Sequence, residues 1–346
     1  MKNPDEQSLI AIDLGNGTTS YIAGNGKKGS FSSLSRAFKD TSGLGFGVEK
    51  EVFKTRDGKT FLVGESCRVE GAKTRSTDSS FYSSPEMQVI FLKVLHDCGI
   101  AHPIIATGLP TEFFQKGAAD FEDQLRRWAK GEGFNPKLVK VLPQWAGPWF
   151  DDELLDESGQ VIDKRLVLQG KFGVIDIGQG TTDCGQFYNG RVSDARHGES
   201  KGVSDIHRSI FTTLQSNPES LNAARKTVLP KEFKLDRQTT EFTIDQWIRQ
   251  GYIPWRGERL DMQPVSRPAR DEFAKDVLPR CIEKVWGSTD FLDGMILAGG
   301  GTSVLGLDVF KKYVTCPIYT AKDPSQSSVR GMYRFAKTQL LQPVPA

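Results

Sequence analysis

Two segments of this chain repeat. Asp13-Leu14-Gly15-Asn16-Gly17-Thr18-Thr19 and Asp176-Ile177-Gly178-Gln179-Gly180-Thr181-Thr182 agree at five of seven positions. Each follows a short apolar run, Leu9-Ile10-Ala11-Ile12 in one case and Phe172-Gly173-Val174-Ile175 in the other. A short apolar run that ends in a glycine-rich turn reads as a buried strand. A strand–Asp–turn unit that recurs far along the chain implies two similar α/β halves with a site between them. The length of 346 residues agrees with two domains, at roughly 150 residues each. With 38% hydrophobic and 25% charged residues the chain can build a core and is not disordered.

The chemistry of the repeated loop suits a phosphate. An Asp sits at the strand's C-terminal end, and Gly-x-Gly-Thr-Thr follows. The glycines let backbone N–H groups approach an anion, and the threonine hydroxyls add donors. The Asp is placed to hold a hydrated Mg²⁺, which usually takes one or two carboxylates together with phosphate oxygens. Two such loops face to face would clamp a polyphosphate. Asn16, Gly17, Thr18, Gly178, Gln179, Gly180 and Thr181 are the candidate phosphate contacts. A third strand, Met295-Ile296-Leu297-Ala298, runs into Gly299-Gly300-Gly301, where a backbone would border a nucleoside. No GxxxxGK[ST] is present, which disfavours a P-loop NTPase. Gly43 to Gly47 reads as a flexible loop.

Between these landmarks the pattern alternates strands and helices. A helix is predicted after Pro85, on Met87, Ile90, Phe91, Val94 and Leu95. A second helix carries the stripe Phe114, Ala118, Phe121, Leu125 and Trp128. Ile104–Ala106 and Leu138–Leu142 read as strands, and residues 151–164 as an exposed acidic hairpin or loop. The 215–270 stretch is polar, and a helix over Lys275–Trp286 should be kinked by Pro279. Lys+Arg 45 against Asp+Glu 43 disfavours a protein that coats nucleic acid. The five cysteines lack CxxC spacing and read as buried thiols in a reducing cytoplasm. Neither a secretory signal nor a membrane helix is expected.

Together these segments resemble the actin superfamily of ATPases. Asp13–Thr19 is similar to its first phosphate loop, Asp176–Asp183 to its second, and Met295–Thr302 to its adenosine loop. The narrower resemblance is to the ParM/StbA plasmid-segregation actins. It is carried by Thr107-Gly108-Leu109-Pro110-Thr111-Glu112-Phe113-Phe114, by the connector Val141–Gly147, by His197–Ser204 and by Ser328-Val329-Arg330-Gly331-Met332-Tyr333. The resemblance implies a duplicated, ribonuclease H-like α/β fold with a nucleotide cleft between the halves. It implies a first domain over residues 1–168 plus 316–346 and a second over 169–315.

The resemblance further implies a cytoplasmic ATPase that forms head-to-tail filaments and segregates plasmid DNA. The link to DNA would be an adaptor protein bound to a centromere-like site, without direct nucleic-acid or membrane binding. ATP is the implied nucleotide, with GTP as the alternative, and Mg²⁺ the metal. Asp13 and Asp176 would hold the metal. Asp176 would also be catalytic, together with Gln144, which stands where the plasmid actins usually carry Glu. An amide is not basic near neutral pH, so Gln144 would orient the attacking water. Glu199 and Lys201 read as a cleft rim or a solvated loop, and Trp145, Trp247 and Trp255 as core or as subunit contacts. Two other functions stay open on the same fold: a small-molecule (sugar-type) kinase and a non-polymerising assembly ATPase.

Overall fold

The computed structural model describes residues 5–38, 52–69, 79–216 and 229–341. The Gly43–Gly47 run lies outside them. The first half contains β1 (Leu9–Leu14), β2 (Thr18–Ala23), β3 (Lys28–Ser32), β4 (Ser35–Ala37), β5 (Val52–Lys54), β6 (Thr60–Val63), helix α1 (Pro85–Cys98), β7 (Ile104–Leu109), α2 (Thr111–Glu132) and β8 (Leu138–Pro143). The remainder contains β9 (Leu154–Leu155), β10 (Lys171–Ile177), β11 (Thr182–Tyr188), β12 (Arg191–Glu199), α3 (Val203–Ser216), α4 (Glu241–Gln250), β13 (Tyr252–Trp255), β14 (Glu258–Asp261), α5 (Gln263–Val285), β15 (Gly294–Ala298), α6 (Gly300–Leu305), β16 (Ile318–Ala321) and α7 (Ser327–Phe335).

The sequence repeat is a repeat of topology. One sheet has the order β3-β2-β1-β7-β8, and the other β12-β11-β10-β15-β16-β9. In each, three strands form an antiparallel meander, and two more extend it in parallel from the first strand. Parallel pairing requires crossovers, which α1 and α2 supply in the first half. Helices on both faces explain why β1 and β10 are apolar without alternation. Ile10, Ile12 and Leu14 pack towards α1 and α2, while Leu9 and Ala11 pack beneath the C-terminal helices. Ile175 and Ile177 pack towards α3 and α5, while Phe172 and Val174 pack on Trp145 and Trp149.

Local signals set the helix ends. Ser84 caps α1 by accepting from the Met87 N–H at 3.1 Å, Pro85 opens the helix, and Gly99 closes it at φ 65°. The polar stretch before 270 is more ordered than its composition suggests. It holds α4, the β13–β14 hairpin and the first turns of α5, a 23-residue helix containing both Pro268 and Pro279.

Two stretches connect the halves, and they touch. The segment after β8 crosses α7 where a Cβ on Gly331 would strike the Gly147 carbonyl. Asp151, only 1% exposed, accepts from Arg330 Nη2 at 2.7 Å and Nε at 3.0 Å, and from Ser327 Oγ at 2.7 Å. The 151–164 stretch is thus a hairpin whose base, Asp151 and Leu154, is buried rather than exposed. By pairing, β9 and β16 belong with the second sheet, while α7 packs on β1 and β2. We therefore place the divisions after Pro143 and after Ala321, within the spans first assigned to domain one. All five cysteines are buried, as expected. Among the described residues no helix is long and apolar enough to cross a membrane.

Candidate functional site

The C-terminal ends of β1, β10 and β15 open onto one cavity of about 360 Å³. Asp13 and Asp176 occupy equivalent places, each one residue before its strand ends. Asp13, Asn16, Gly17, Thr18, Gln144, Asp176, Gly178, Gln179, Gly180, Thr181, Gly299 and Gly300 all line this cavity. The loops meet across it: a Cβ on Gly17 would lie 2.8 Å from Gln179 Cβ. Gly299 has φ 79°, and a Cβ there would strike both Asp176 Oδ1 and the Ile177 carbonyl. Gly301 does not line the cavity. It is buried, and a side chain there would strike Ile177, so its smallness serves the packing of α6 on β10.

The connector positions Gln144. Trp145 is fully buried, with its ring over Gly185, where any Cβ would collide with the indole. That contact anchors β8's end to the second sheet and presents Gln144 to the cavity. Its Nε2 donates to Asp13 Oδ1 at 3.0 Å.

Carboxylates dominate the site's electrostatics. Asp13 lines the cavity, and the protein packed round it raises its pKa to about 7, against the pull of the Gln144 bond. Asp176 is raised to about 8, first by burial and then by the negative charges of Asp13 and Asp183. Ser328 Oγ donates to Asp176 Oδ2 at 2.9 Å. Asp183 is also raised by burial, but it is engaged elsewhere. It accepts from the Thr111 N–H at 2.6 Å and from Thr181 Oγ1 at 2.9 Å. Among the described residues no Lys or Arg bonds to Asp13 or Asp176.

Two facing carboxylates resist joint ionisation until a cation joins them, and this donor set fits Mg²⁺. The ligands are hard oxygens, two in number, beside loops suited to a polyphosphate. Asn16 Oδ1 is buried and lacks a partner, as an atom awaiting a ligand shell would. No cluster of three or more ligating side chains occurs among the described residues.

Several lining residues escape a reading of the sequence. Ser20, Tyr82, Asp245, Arg249, Ser325, Gln326 and Ser328 reach the cavity. Gln326 Nε2 donates to Ser20 Oγ at 3.0 Å, linking the C-terminal segment to the first sheet. Asp245 and Arg249 come from α4 and pair at 2.8 Å. Their i, i+4 spacing was legible, but their approach to the cleft was not. Glu199 and Lys201 do not line the cavity. Glu199 accepts from Arg280 Nε at 3.1 Å and faces His197 Nε2 at 2.9 Å, and Lys201 pairs with Asp276. Trp145 and Trp247 are core residues, while Trp255 is half-buried.

Comparison with known proteins agrees with this geometry. Residues 11–147 match the family described as actin-like proteins, N-terminal domain. Residues 174–310 match the archaeal actin homologue MreB-like, C-terminal family. No curated protein sequence matches the chain significantly. Among solved structures, a non-polymerisable quadruple mutant of pCBH ParM is 20% identical with a TM-score of 0.68, covering 95% of this chain and 98% of that one. The archaeal actin homologue Ta0583 is 18% identical with a TM-score of 0.65, covering 95% and 99%. It has also been solved in complex with ADP. A 15-stranded ParM filament from Clostridium botulinum is 19% identical with a TM-score of 0.65, covering 95% and 98%. At these identities the likeness is one of fold: the two-domain actin-like α/β fold.

Proposed function

From the match of its two halves to actin-like family models, we propose that this chain is an actin-like ATPase that binds Mg²⁺ and ATP in the cleft and polymerises head to tail. In this reading hydrolysis destabilises the polymer, and the filament moves plasmid DNA through an adaptor protein, in the cytoplasm. The observation that carries it is the convergence of Asp13 and Asp176, from equivalent positions of two matched sheets, on one loop-lined cavity.

Each residue then has a task. Backbone N–H groups of Gly17 and Gly180, with Thr18 and Thr181, hold the phosphates, while Gly178, whose own N–H donates to the Thr181 carbonyl at 2.8 Å, shapes the loop. Asp13 and Asp176 hold the metal, which offsets charge on the phosphates when bound. Gln144 donates to Asp13 and keeps its carbonyl oxygen as an acceptor for the attacking water. Asp176 turns that water towards the γ-phosphate. The task is positioning, as phosphoryl transfer requires. Gly299, Gly300, Asp245 and Arg249 border the nucleoside end. ATP is the proposed nucleotide, with GTP the competitor in a direct titration.

A titration with fluorescent ATP, with and without Mg²⁺, followed by phosphate release, tests this reading. Saturable, Mg²⁺-dependent binding and release of phosphate to water support it. Transfer of the phosphoryl group to a sugar would instead identify a kinase.

A further inference from the structure

Tyr82 reaches the nucleotide cavity from outside the two repeated loops. It stands in the turn Ser79–Ser83, just before the Ser84 cap of α1. The turn is pinned on both sides of it. The Ser84 N–H donates to the Phe81 carbonyl at 3.1 Å, and Gln124 Nε2 on α2 donates to the Tyr82 carbonyl at 2.7 Å. Three rings fix the direction of the phenol. Phe81 and Phe121 meet it edge to face, with centroids 5.4 and 5.9 Å away, and Phe113 lies tilted at 5.4 Å. The residue is 6% exposed. A buried tyrosine ordinarily finds a partner for its O–H. Among the described residues none bonds to the Tyr82 hydroxyl.

This aromatic wall is tied to the second phosphate loop. Phe113 stands two residues after Thr111, whose N–H donates to Asp183 Oδ1 at 2.6 Å. Asp183 Oδ2 accepts from Thr181 Oγ1 at 2.9 Å. A Cβ on Gly198 would lie 3.3 Å from both Asp183 Oδ1 and Thr111 Cβ, so glycine lets β12 approach α2. Burial, then the negative charges of Asp183 and Asp13, holds the phenol's pKa well above its ordinary value. The hydroxyl therefore keeps its proton, at the end of the cavity where Asp13 and Thr181 stand. Asp13 and Asp176 repel a phosphate unless a cation intervenes. A neutral donor does not. The transferred phosphoryl group needs such donors, because charge spreads over its three equatorial oxygens.

We propose that the Tyr82 hydroxyl donates a hydrogen bond to the γ-phosphate of the bound nucleotide. The surrounding rings set its direction before binding, so little side-chain freedom is lost when the bond forms. A diphosphate cannot make the contact, and the first half thereby distinguishes the two nucleotide states. This inference deepens the nucleotide-cleft reading above and rests on it.

Tyr82→Phe removes the hydroxyl and keeps the ring among Phe81, Phe113 and Phe121. Displacement of fluorescent ADP by ADP and by a non-hydrolysable ATP analogue, both with Mg²⁺, reads the contact without turnover. The protein is held below the concentration at which it pellets. Affinity for ADP is expected to match the wild type, which reports correct folding. Affinity for the analogue is expected to fall about tenfold, the scale of one hydrogen bond to a charged group. An analogue affinity that falls no more than that for ADP would overturn the contact and leave the nucleotide reading standing. A wild type that binds neither nucleotide would overturn both.

Discussion

Gln144 and Asp13 are joined by a 3.0 Å hydrogen bond, donated by the connector's amide to a carboxylate at the end of β1. The bond lies at the centre of the cleft and links the two groups assigned to water and to metal. Gln144→Ala is expected to slow phosphate release by up to about a hundredfold, the scale of a mispositioned reactant. Nucleotide affinity should stay within a few-fold. A large loss of affinity would make Gln144 structural.

Asp176→Ala is expected to abolish hydrolysis and to yield polymers that persist in ATP. Asp176 is 4% exposed and accepts from Ser328, so the variant also removes a buried, hydrogen-bonded carboxyl group. Phosphate release and polymer lifetime are measured together. Normal turnover would remove Asp176 from the mechanism.

Two adjacent glycines separate packing from contact. At Gly299 the backbone has φ 79°, and a Cβ would strike Asp176. Gly299→Ala should destabilise the fold by about 2 kcal/mol or more and weaken Mg²⁺-dependent binding. Nothing lies within 4 Å of a Cβ on Gly300. Gly300→Ala should leave the denaturation midpoint unchanged, so any loss of nucleotide affinity reports contact with the nucleoside. Equal destabilisation of the two variants would contradict this assignment.

The crossing between the halves depends on a buried ion pair. Arg330→Ala would leave the Asp151 carboxylate, which is 1% exposed, without its cationic partner and with Ser327 Oγ and the Glu153 N–H as neutral donors. Breaking a buried pair in this way costs about 3–5 kcal/mol. Asp151→Asn retains an acceptor for Ser327 and should cost less. Denaturant midpoints of both variants measure the difference, and near-neutral values for both would show that the pair does not hold the crossing.

His207, 1% exposed, has its pKa lowered to about 4, first by burial. Asp245 on α4 pulls the value up, and Arg249 pushes it down. The unfolded chain therefore binds a proton near pH 6.5 that the folded chain refuses until about pH 4. Stability from this group is fully present above pH 6.5 and is lost as pH falls through that window. The acidic cleft titrates with the opposite sign, so the informative quantity is wild type minus His207→Gln. That difference should fall by up to about 3 kcal/mol between pH 6.5 and 4. A flat difference would contradict a neutral buried imidazole.

Local, repeated patterns were the legible part of this chain. The Asp-x-Gly-x-Gly-Thr-Thr loops and their strands announced both sheets and most of the cleft, because each signal is complete within ten residues. Gly301 misled, because a packing glycine and a ligand-facing glycine look alike in a row of three. Ser328, Gln326, Asp245 and Arg249 reach the cleft only through tertiary packing, from α7, from the turn before it and from α4. The first turns of α5 were hidden by Pro264 and Pro268. Pro264 falls in the first turn, where no N–H is needed. Asp151 looked like one acid among many until Arg330 closed on it from 179 residues away.

Light scattering at 90° after addition of Mg-ATP, with phosphate release followed in parallel, tests the central proposal most directly. Scattering should rise above a critical concentration and decay as phosphate accumulates. A flat trace at every concentration, with ATP left intact, would contradict an ATP-driven filament.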